Sequence, residues 1–293
     1  MKKLRQKSGY CLLLIILMLF SLCACTQVPD TGKPDNTVVD DVIVLTISGN
    51  AAKEETSWTL SELKALADGY REIVYSTTNN WPSYGKLEGN GISLQYLLAQ
   101  VGILDTAASF RFTSADGYFY NLTYQQVYGE RYSYEKHSVE ESLNPFVVEP
   151  ILAWEWGEEG RAFPQNLRLM LGQIGSYEVN TLAFVKSLYK IEVSNEYLGR
   201  WAAPTCDMAS GTTVDKGTKI DILHESRDSI RIYYTIDGSD PDYTSAVYNP
   251  STSYYQPQLI VPIEVNADIT IKAFAAGIGK DDSPIATFVY KVK

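Results

Sequence analysis

The 293-residue chain contains few of the residues from which metal centres, disulfide frameworks and nucleophilic active sites are usually built. Of its four cysteines, three precede residue 26, so Cys206 stands alone in the rest of the chain and an internal disulfide there is impossible. The two histidines, His137 and His224, fall in different predicted domains, which argues against a histidine zinc site or a Ser-His-Asp triad. Neither G-x-S-x-G nor a P-loop sequence occurs, so the corresponding hydrolase and nucleotide chemistries are not expected.

Positive charge is also scarce. Lysine and arginine together number 25 against 35 aspartates and glutamates, which gives a formal net charge of −10. No basic stripe interrupts this acidic composition, so nucleic acid is not an expected partner.

The first 41 residues are predicted to direct and anchor the chain rather than to fold. A basic start precedes an apolar run over residues 12–22 that is too short to span a bilayer comfortably. The sequence Leu22-Cys23-Ala24-Cys25 resembles the lipobox of bacterial lipoproteins, which implies cleavage after Ala24, diacylglycerol on Cys25 and an extracytoplasmic, lipid-anchored protein. An ordinary cleaved signal peptide and an uncleaved anchor are the alternatives. Residues 26–41, rich in Pro, Asp, Thr and Gly, are predicted to be a flexible tether.

Residues 42–198 are predicted to form one α+β domain made mostly of strands. Its most informative stretch is 73–103, where a strand over 72–76 is predicted to run into a polar loop, then a glycine-rich turn, then a helix ended by Gly102. The segment 124–143 is predicted to be an irregular loop over the site, and Ala115-Asp116-Gly117 indicates a hairpin turn. The polar loop holds the candidate pocket residues Asn79, Asn80 and Trp81, although Asn-Asn-Trp-Pro is equally typical of a plain turn.

Short motifs of this domain occur in a characteristic order: Gly91-Ile92-Ser93-Leu94, Ile151-Leu152-Ala153-Trp154, Leu167-Arg168-Leu169-Met170, and Val185-Lys186-Ser187-Leu188. Together they resemble the molybdopterin-binding domain of sulfite-oxidase-type oxidoreductases. The resemblance implies a molybdenum-ligating cysteine in the loop at residues 75–80, but this chain has no cysteine there and Ser76 is the nearest substitute. It also implies that Arg168 and Lys186 lie near the cofactor or an oxyanion substrate. The alternative from the residues alone is that Arg168 pairs with a carboxylate and Lys186 lies on a solvated face.

The last part of the chain reads as all-β. Residues 199–210 are predicted to be a linker, and residues 211–293 contain short strand-like runs separated by Gly, Asp and Pro. The sequence Y-T-I-D-G-S-D-P at 234–241 resembles the Ig- or fibronectin-like C-terminal β-sandwich of chitobiases and β-hexosaminidases. Asp237, Asp240 and Asp242 are expected to serve turns, with calcium binding as the alternative.

Three functions follow as hypotheses. The first is a ligand-binding or scaffold lipoprotein that kept the fold and lost the metal ligand. The second is an extracytoplasmic molybdopterin-dependent oxidoreductase, and the third is an adhesin for cell-wall glycan or another surface partner. Tyrosine, with 21 residues clustered partly at 118–134 and 243–255, suits sugar stacking and protein recognition as well as ordinary β-rich surfaces. Neither a bound cofactor nor a substrate follows from the residues.

Overall fold

The computed structural model describes residues 42–136 and 145–293, which belong to one compact unit, Val39–Lys293. The predicted signal peptide, the lipidation site Cys25, the tether and His137 therefore lie outside the described residues. Within the described residues, no helix has the length and apolar character needed to cross a membrane.

The described part is mostly β, with few helices, which confirms the predicted fold class. The described residues form three short α-helices: α1 (Leu60–Ala65), α2 (Leu94–Val101) and α3 (Tyr124–Tyr128). The strands of the first part are β1 (Ile43–Ser48), β2 (Thr56–Thr59), β3 (Tyr70–Thr78), β4 (Tyr84–Ser93), β5 (Ser109–Ser114), β6 (Phe119–Thr123), β7 (Arg131–Ser133), β8 (Phe146–Val148), β9 (Ile151–Glu158), β10 (Phe163–Met170) and β11 (Leu188–Ser194). Those that follow are β12 (Thr205–Cys206), β13 (Thr213–Val214), β14 (Thr218–Ile220), β15 (Ile222–Leu223), β16 (Arg231–Thr235), β17 (Ala246–Val247), β18 (Ile263–Val265), β19 (Ile269–Ala276) and β20 (Ala286–Val292).

Two sheets enclose the first hydrophobic core. One has the order β2-β1-β11-β5-β6 and the other the order β10-β9-β4-β3. Apolar side chains from both sheets and from α2 meet in this core, where Leu45, Phe112, Ile92 and Leu97 are fully buried. Burial of this continuous apolar surface is the main force that holds the two sheets together.

The stretch from 84 to 93 is a strand, so the predicted glycine-rich turn is wrong. β4 is a central strand, bonded to β3 on one side and to β9 on the other. Glycine is needed there for space: a Cβ on Gly91 would lie 2.0 Å from the Leu152 carbonyl oxygen, and one on Gly89 would lie 2.5 Å from the Met170 sulfur. The helix consequently begins only at Leu94, directly after this strand, with Ser93 as its N-cap.

The segment after the 115–117 hairpin is more ordered than the sequence indicated. The hairpin itself is confirmed, with Gly117 at φ 89° and β5 paired to β6. Residues 124–128, predicted to be irregular, form α3, because Thr123 and Gln126 cap each other's backbone N–H groups in a capping box. β7 follows and pairs with β8.

The C-terminal part has a five-stranded sheet of order β13-β20-β19-β16-β17 and a separate core that includes Ile232, Ile271 and Tyr290. Two of the strand-like runs differ from the observed strands. The run 259–261 is not a strand, since the nearest strand is β18, and the run 219–223 is divided between β14 and β15. Residues 199–210, predicted as a linker, contribute β12, which pairs with β15. The Asp-Gly turn is confirmed: Gly238 has φ 83° and the Asp237 carboxylate accepts from the Ser239 N–H at 3.0 Å.

The two predicted domains pack against each other. Gln126 donates to the carbonyl oxygens of Gly277 (3.3 Å) and Lys280 (2.9 Å) and accepts from the Gly279 N–H (3.0 Å). Ile278 is buried in the first core. The C-terminal part is therefore fixed to the first part by packing as well as by hydrogen bonds.

Candidate functional site

Ser76, the residue nearest the metal-ligand position of the resembled family, lies in a closed network of buried polar groups. It sits near the end of β3 and is fully buried. Its hydroxyl donates to Gln173 Oε1 at 2.5 Å and accepts from the Tyr134 N–H at 2.9 Å. Its backbone carbonyl accepts from Asn180 Nδ2 at 2.9 Å. The hydroxyl and the backbone carbonyl of Ser76 are thus both hydrogen-bonded to protein partners.

The same network continues through the loop that follows β10. Gln173 Nε2 donates to Thr78 Oγ1 at 3.0 Å and to the Glu178 carbonyl at 2.7 Å. The Glu178 carboxylate pairs with the Arg131 guanidinium, and both residues are at least 95% buried. Because buried polar groups are costly unless they are paired, this mutual pairing makes the network a rigid structural element.

These residues do not fit a molybdenum ligand at Ser76. A serine ligand must lose a high-pKa proton and direct its oxygen at the metal, whereas the Ser76 hydroxyl uses that proton to bind Gln173. Removal of the bond to Gln173 would also leave a buried amide oxygen without a donor. The role of Ser76 as a metal ligand stays a prediction that these hydrogen bonds disfavour.

Arg168 and Lys186 are brought together at a second place. They form a bridge pair between β10 and the segment preceding β11. The Arg168 guanidinium carbon lies 4.3 Å from the centroid of the Trp156 ring and 5.3 Å from that of Phe184. The Lys186 ammonium lies 5.6 Å from the Trp156 centroid. Two cationic side chains therefore share one aromatic ring.

The charge of Arg168 is uncompensated in the part of the chain that the structure describes. The residue is only 7% exposed, it has no ion pair with any described carboxylate, and its buried Nε–H has no acceptor. Burial lowers the pKa of the Arg168 guanidinium from its ordinary value to about 10. A carboxylate partner for Arg168, the alternative expected from the residues alone, is not seen among the described residues. Lys186 is exposed, as the alternative of a solvated face requires.

Asn79, Asn80 and Trp81 lie in the loop between β3 and β4, and they turn towards the C-terminal part. The Asn79 side chain accepts from the N–H groups of Trp81 and Ser83, both at 2.9 Å, as in a plain turn. The Asn80 carbonyl accepts two bonds from the segment 251–252. Trp81 is 50% exposed and contacts Tyr255. Within the part of the chain that the structure describes, no hydrogen bond or ring contact joins these three residues to Arg168 or Lys186.

A cleft of about 360 Å³ lies where the two predicted domains meet. Its charged lining is largely self-paired: Arg131 binds Glu178, the Tyr243 hydroxyl binds the Asp282 carboxylate, and Arg200 binds the Asp282 carbonyl at 3.3 Å. Burial raises the pKa of the Asp282 carboxyl. The cleft is therefore polar, but its strongest donors and acceptors are occupied.

Sequence reasoning missed Gln173, Glu178, Asn180 and Trp156. The first three follow the buried strand β10, and a polar loop after an apolar strand is the signal that could have found them. Trp156 had no such signal, because its contact with Arg168 depends on the register between β9 and β10, where bulging shifts the pairing.

Residues 222–290 match the Fn3 associated family, and this range lies within the predicted sandwich. No curated protein sequence matches the chain. Among solved structures, the chain is similar to the crystal structure of the sulfane dehydrogenase SoxCD from Paracoccus pantotrophus. The similarity covers 84% of this chain and 69% of that one, with 13% identity and a TM-score of 0.37. Values this low transfer no residue role or activity to this chain.

Proposed function

We propose that this chain is an extracytoplasmic, lipid-anchored binding protein, in which a sulfite-oxidase-like part has lost its metal ligand and binds a small oxyanion at Arg168 and Lys186. The observation that carries the proposal is the buried, unpaired guanidinium of Arg168. Buried charges in proteins are normally paired, and an unpaired one is costly to keep. An oxyanion would supply both the missing charge and the missing acceptor.

The surroundings of Arg168 suit such a ligand. Arginine offers a planar fork that matches the oxygens of phosphate, sulfate or a carboxylate, and Lys186 adds a second positive charge from the exposed side. Both cations contact the Trp156 ring, which donates its own N–H to the Asn166 carbonyl at 3.1 Å, and this bond fixes the ring. The ring contacts offset part of the cost of burying the guanidinium, but they supply no hydrogen-bond acceptor for Nε.

Anion binding is tested by thermal unfolding of the purified full chain in chloride, sulfate and phosphate at equal ionic strength. A ligand present at one hundred times its Kd stabilises a protein by about 2.7 kcal/mol. Sulfate and phosphate also stabilise proteins without a site, so the informative quantity is the difference between the wild type and Arg168→Met or Lys186→Met. Lys190→Met is the matched control. It removes the same charge from a lysine that is already paired with Glu192, at 2.9 Å.

An oxyanion effect that Arg168→Met and Lys186→Met reduce, and Lys190→Met does not, supports the proposal. An equal effect in all four proteins would contradict it. Molybdenum, tungsten and released pterin are measured in the same preparation from a host whose other molybdoenzymes are loaded. Stoichiometric metal and pterin would favour the oxidoreductase hypothesis instead.

The membrane placement is tested separately. Metabolic labelling with a radioactive fatty acid is expected to mark the wild type and to be lost in Cys25→Ser. Labelling that persists in Cys25→Ser, or a wild type that is never labelled, would contradict the lipid anchor.

A further inference from the structure

Three aromatic side chains form a continuous exposed surface, termed here the aromatic platform: Trp81, Tyr254 and Tyr255. They are 50%, 77% and 62% exposed, respectively. The ring centroids of Trp81 and Tyr255 lie 5.6 Å apart, those of Tyr254 and Tyr255 lie 3.8 Å apart, and each pair is tilted by 37°. Neighbouring rings that remain this exposed leave a large apolar area in contact with water, which indicates a binding surface.

The aromatic platform is held in place by hydrogen bonds beneath it. The Asn80 carbonyl accepts from Ser251 Oγ and from the Thr252 N–H, both at 3.1 Å. Ser251 Oγ also binds Gln256 Oε1 at 2.9 Å. Trp81 comes from the first part of the chain and the two tyrosines from the last, so the platform exists only when both parts are folded together. A surface fixed in advance loses less entropy when a ligand binds.

The two segments that build the platform carry no charge. Residues 77–85 and 248–263 contain no Asp, Glu, Lys or Arg, in a chain whose formal net charge is −10. Their polar groups are hydroxyls and amides, for example on Asn79, Ser83 and Ser253. Such a surface provides no attraction for a phosphate backbone or another charged polymer, and it therefore favours a neutral, hydrogen-bonding partner.

The size of the platform favours a small occupant. An aromatic side chain buries about 150–250 Å² when it is fully covered. Three side chains that are already partly covered can thus offer only a few hundred Å², roughly half or less of the about 800 Å² per partner that a stable protein interface needs. Sugar rings need much less area, because the flat C–H face of a β-linked sugar lies directly on an aromatic ring while its hydroxyls bind amides and hydroxyls at the edge.

We infer that the aromatic platform is a glycan-binding site, which takes a neutral, β-linked oligosaccharide on Trp81, Tyr254 and Tyr255. This site is distinct from Arg168 and Lys186 and does not depend on the oxyanion proposed there. It uses both parts of the chain, so the C-terminal sandwich alone would lack one of its three rings.

The test is calorimetric titration of the full chain, in mild detergent, with cellohexaose and chitohexaose. Saturable binding of at least one of them is expected, with an affinity loss of about tenfold or more in Trp81→Ala and in Tyr255→Ala. Trp81→Phe keeps a ring for stacking and is expected to retain most of the affinity. Phe163→Ala is the matched control, since Phe163 is 57% exposed but lies on β10, outside the platform.

Circular dichroism of each variant checks that the fold is kept, and exposure of the replaced rings makes a folding defect unexpected. Absence of binding to both oligosaccharides would overturn the inference, as would an equal loss of affinity in Phe163→Ala. Self-association that Trp81→Ala abolishes, without sugar binding, would assign the platform to a second copy of the chain and also overturn it.

Discussion

Replacement of Arg168 by methionine tests whether this arginine is retained for a ligand rather than for stability. Burial lowers the pKa of the Arg168 guanidinium by more than two units, to about 10. One pKa unit corresponds to about 1.4 kcal/mol, so the buried charge costs the folded state on the order of 3 kcal/mol at neutral pH. Because the folded-state pKa lies below the unfolded-state value, this cost is fully present below about pH 10 and disappears as the pH rises through the ordinary pKa of arginine.

Favourable contacts offset part of this cost. The guanidinium over Trp156 and Phe184 contributes about 0.5–2 kcal/mol. Methionine keeps an unbranched stem at this position and makes its own contacts with aromatic rings. The expected net result for Arg168→Met is an increase of about 1–2 kcal/mol in the free energy of unfolding. For a domain of this size, this corresponds to a rise in Tm of about 2–4 °C per kcal/mol.

Arg131 provides the contrasting control. It is as buried as Arg168, but its guanidinium pairs with Glu178 and also donates from Nε to the Gly172 carbonyl at 2.8 Å. Arg131→Met leaves a buried carboxylate without its partner and is expected to destabilise the fold by about 3–5 kcal/mol. Urea and thermal unfolding in chloride buffer measure both variants. Arg168→Met that is less stable than the wild type by more than about 1 kcal/mol would refute the reasoning.

Two further predictions concern groups whose environment is fixed by the fold. Ser76→Ala leaves Gln173 Oε1 and the Tyr134 N–H without a partner. We expect it to lower the free energy of unfolding, measured by urea titration, by about 1–3 kcal/mol. An unchanged free energy of unfolding would contradict the closed network. Burial raises the pKa of the Cys206 thiol to about 11. Its alkylation by iodoacetamide, followed by mass spectrometry, should therefore be slow at pH 8 and rise about tenfold per pH unit up to about pH 10; a plateau near pH 8.5 would refute this.

Local patterns predicted the elements that local chemistry determines. The Asp116-Gly117 hairpin and the helix end at Gly102 were found correctly, because the conformation of those residues depends on their own backbone and side chains. The strand β4 was not predicted, because the need for glycine at position 91 comes from a contact that is distant in sequence. Gly91 leaves space for the backbone of Leu152, 61 positions later in the chain. A glycine required for close packing has the same local appearance as one required for a turn.

The candidate site shows the same division. That Arg168 and Lys186 lie near a cofactor or an oxyanion stays a prediction. The structure shows them as a bridge pair in which Arg168 is buried and Lys186 is exposed, a difference that the sequence did not reveal. The closed pairing of Ser76 with Gln173 was not foreseeable either, since the two residues are 97 positions apart and neither carries a motif. Burial and pairing of polar side chains depend on tertiary contacts, which composition and periodicity do not contain.

The loop at residues 79–81 contacts the C-terminal part of the chain. The resemblance to sulfite-oxidase-type oxidoreductases implies that this region faces a cofactor. In this structure its backbone and side chains instead contact the C-terminal part. The Asn79 carbonyl lies 3.4 Å from the buried Arg231 guanidinium, the Asn80 carbonyl binds the segment 251–252, and Trp81 packs on Tyr255. Movement of this loop away from the C-terminal part would leave Arg231 without one of its two backbone acceptors, so opening of the loop is costly. The same contacts place an exposed tryptophan where both parts meet, so the loop that follows β3 contributes one ring of the aromatic platform as well as the contact between the two parts.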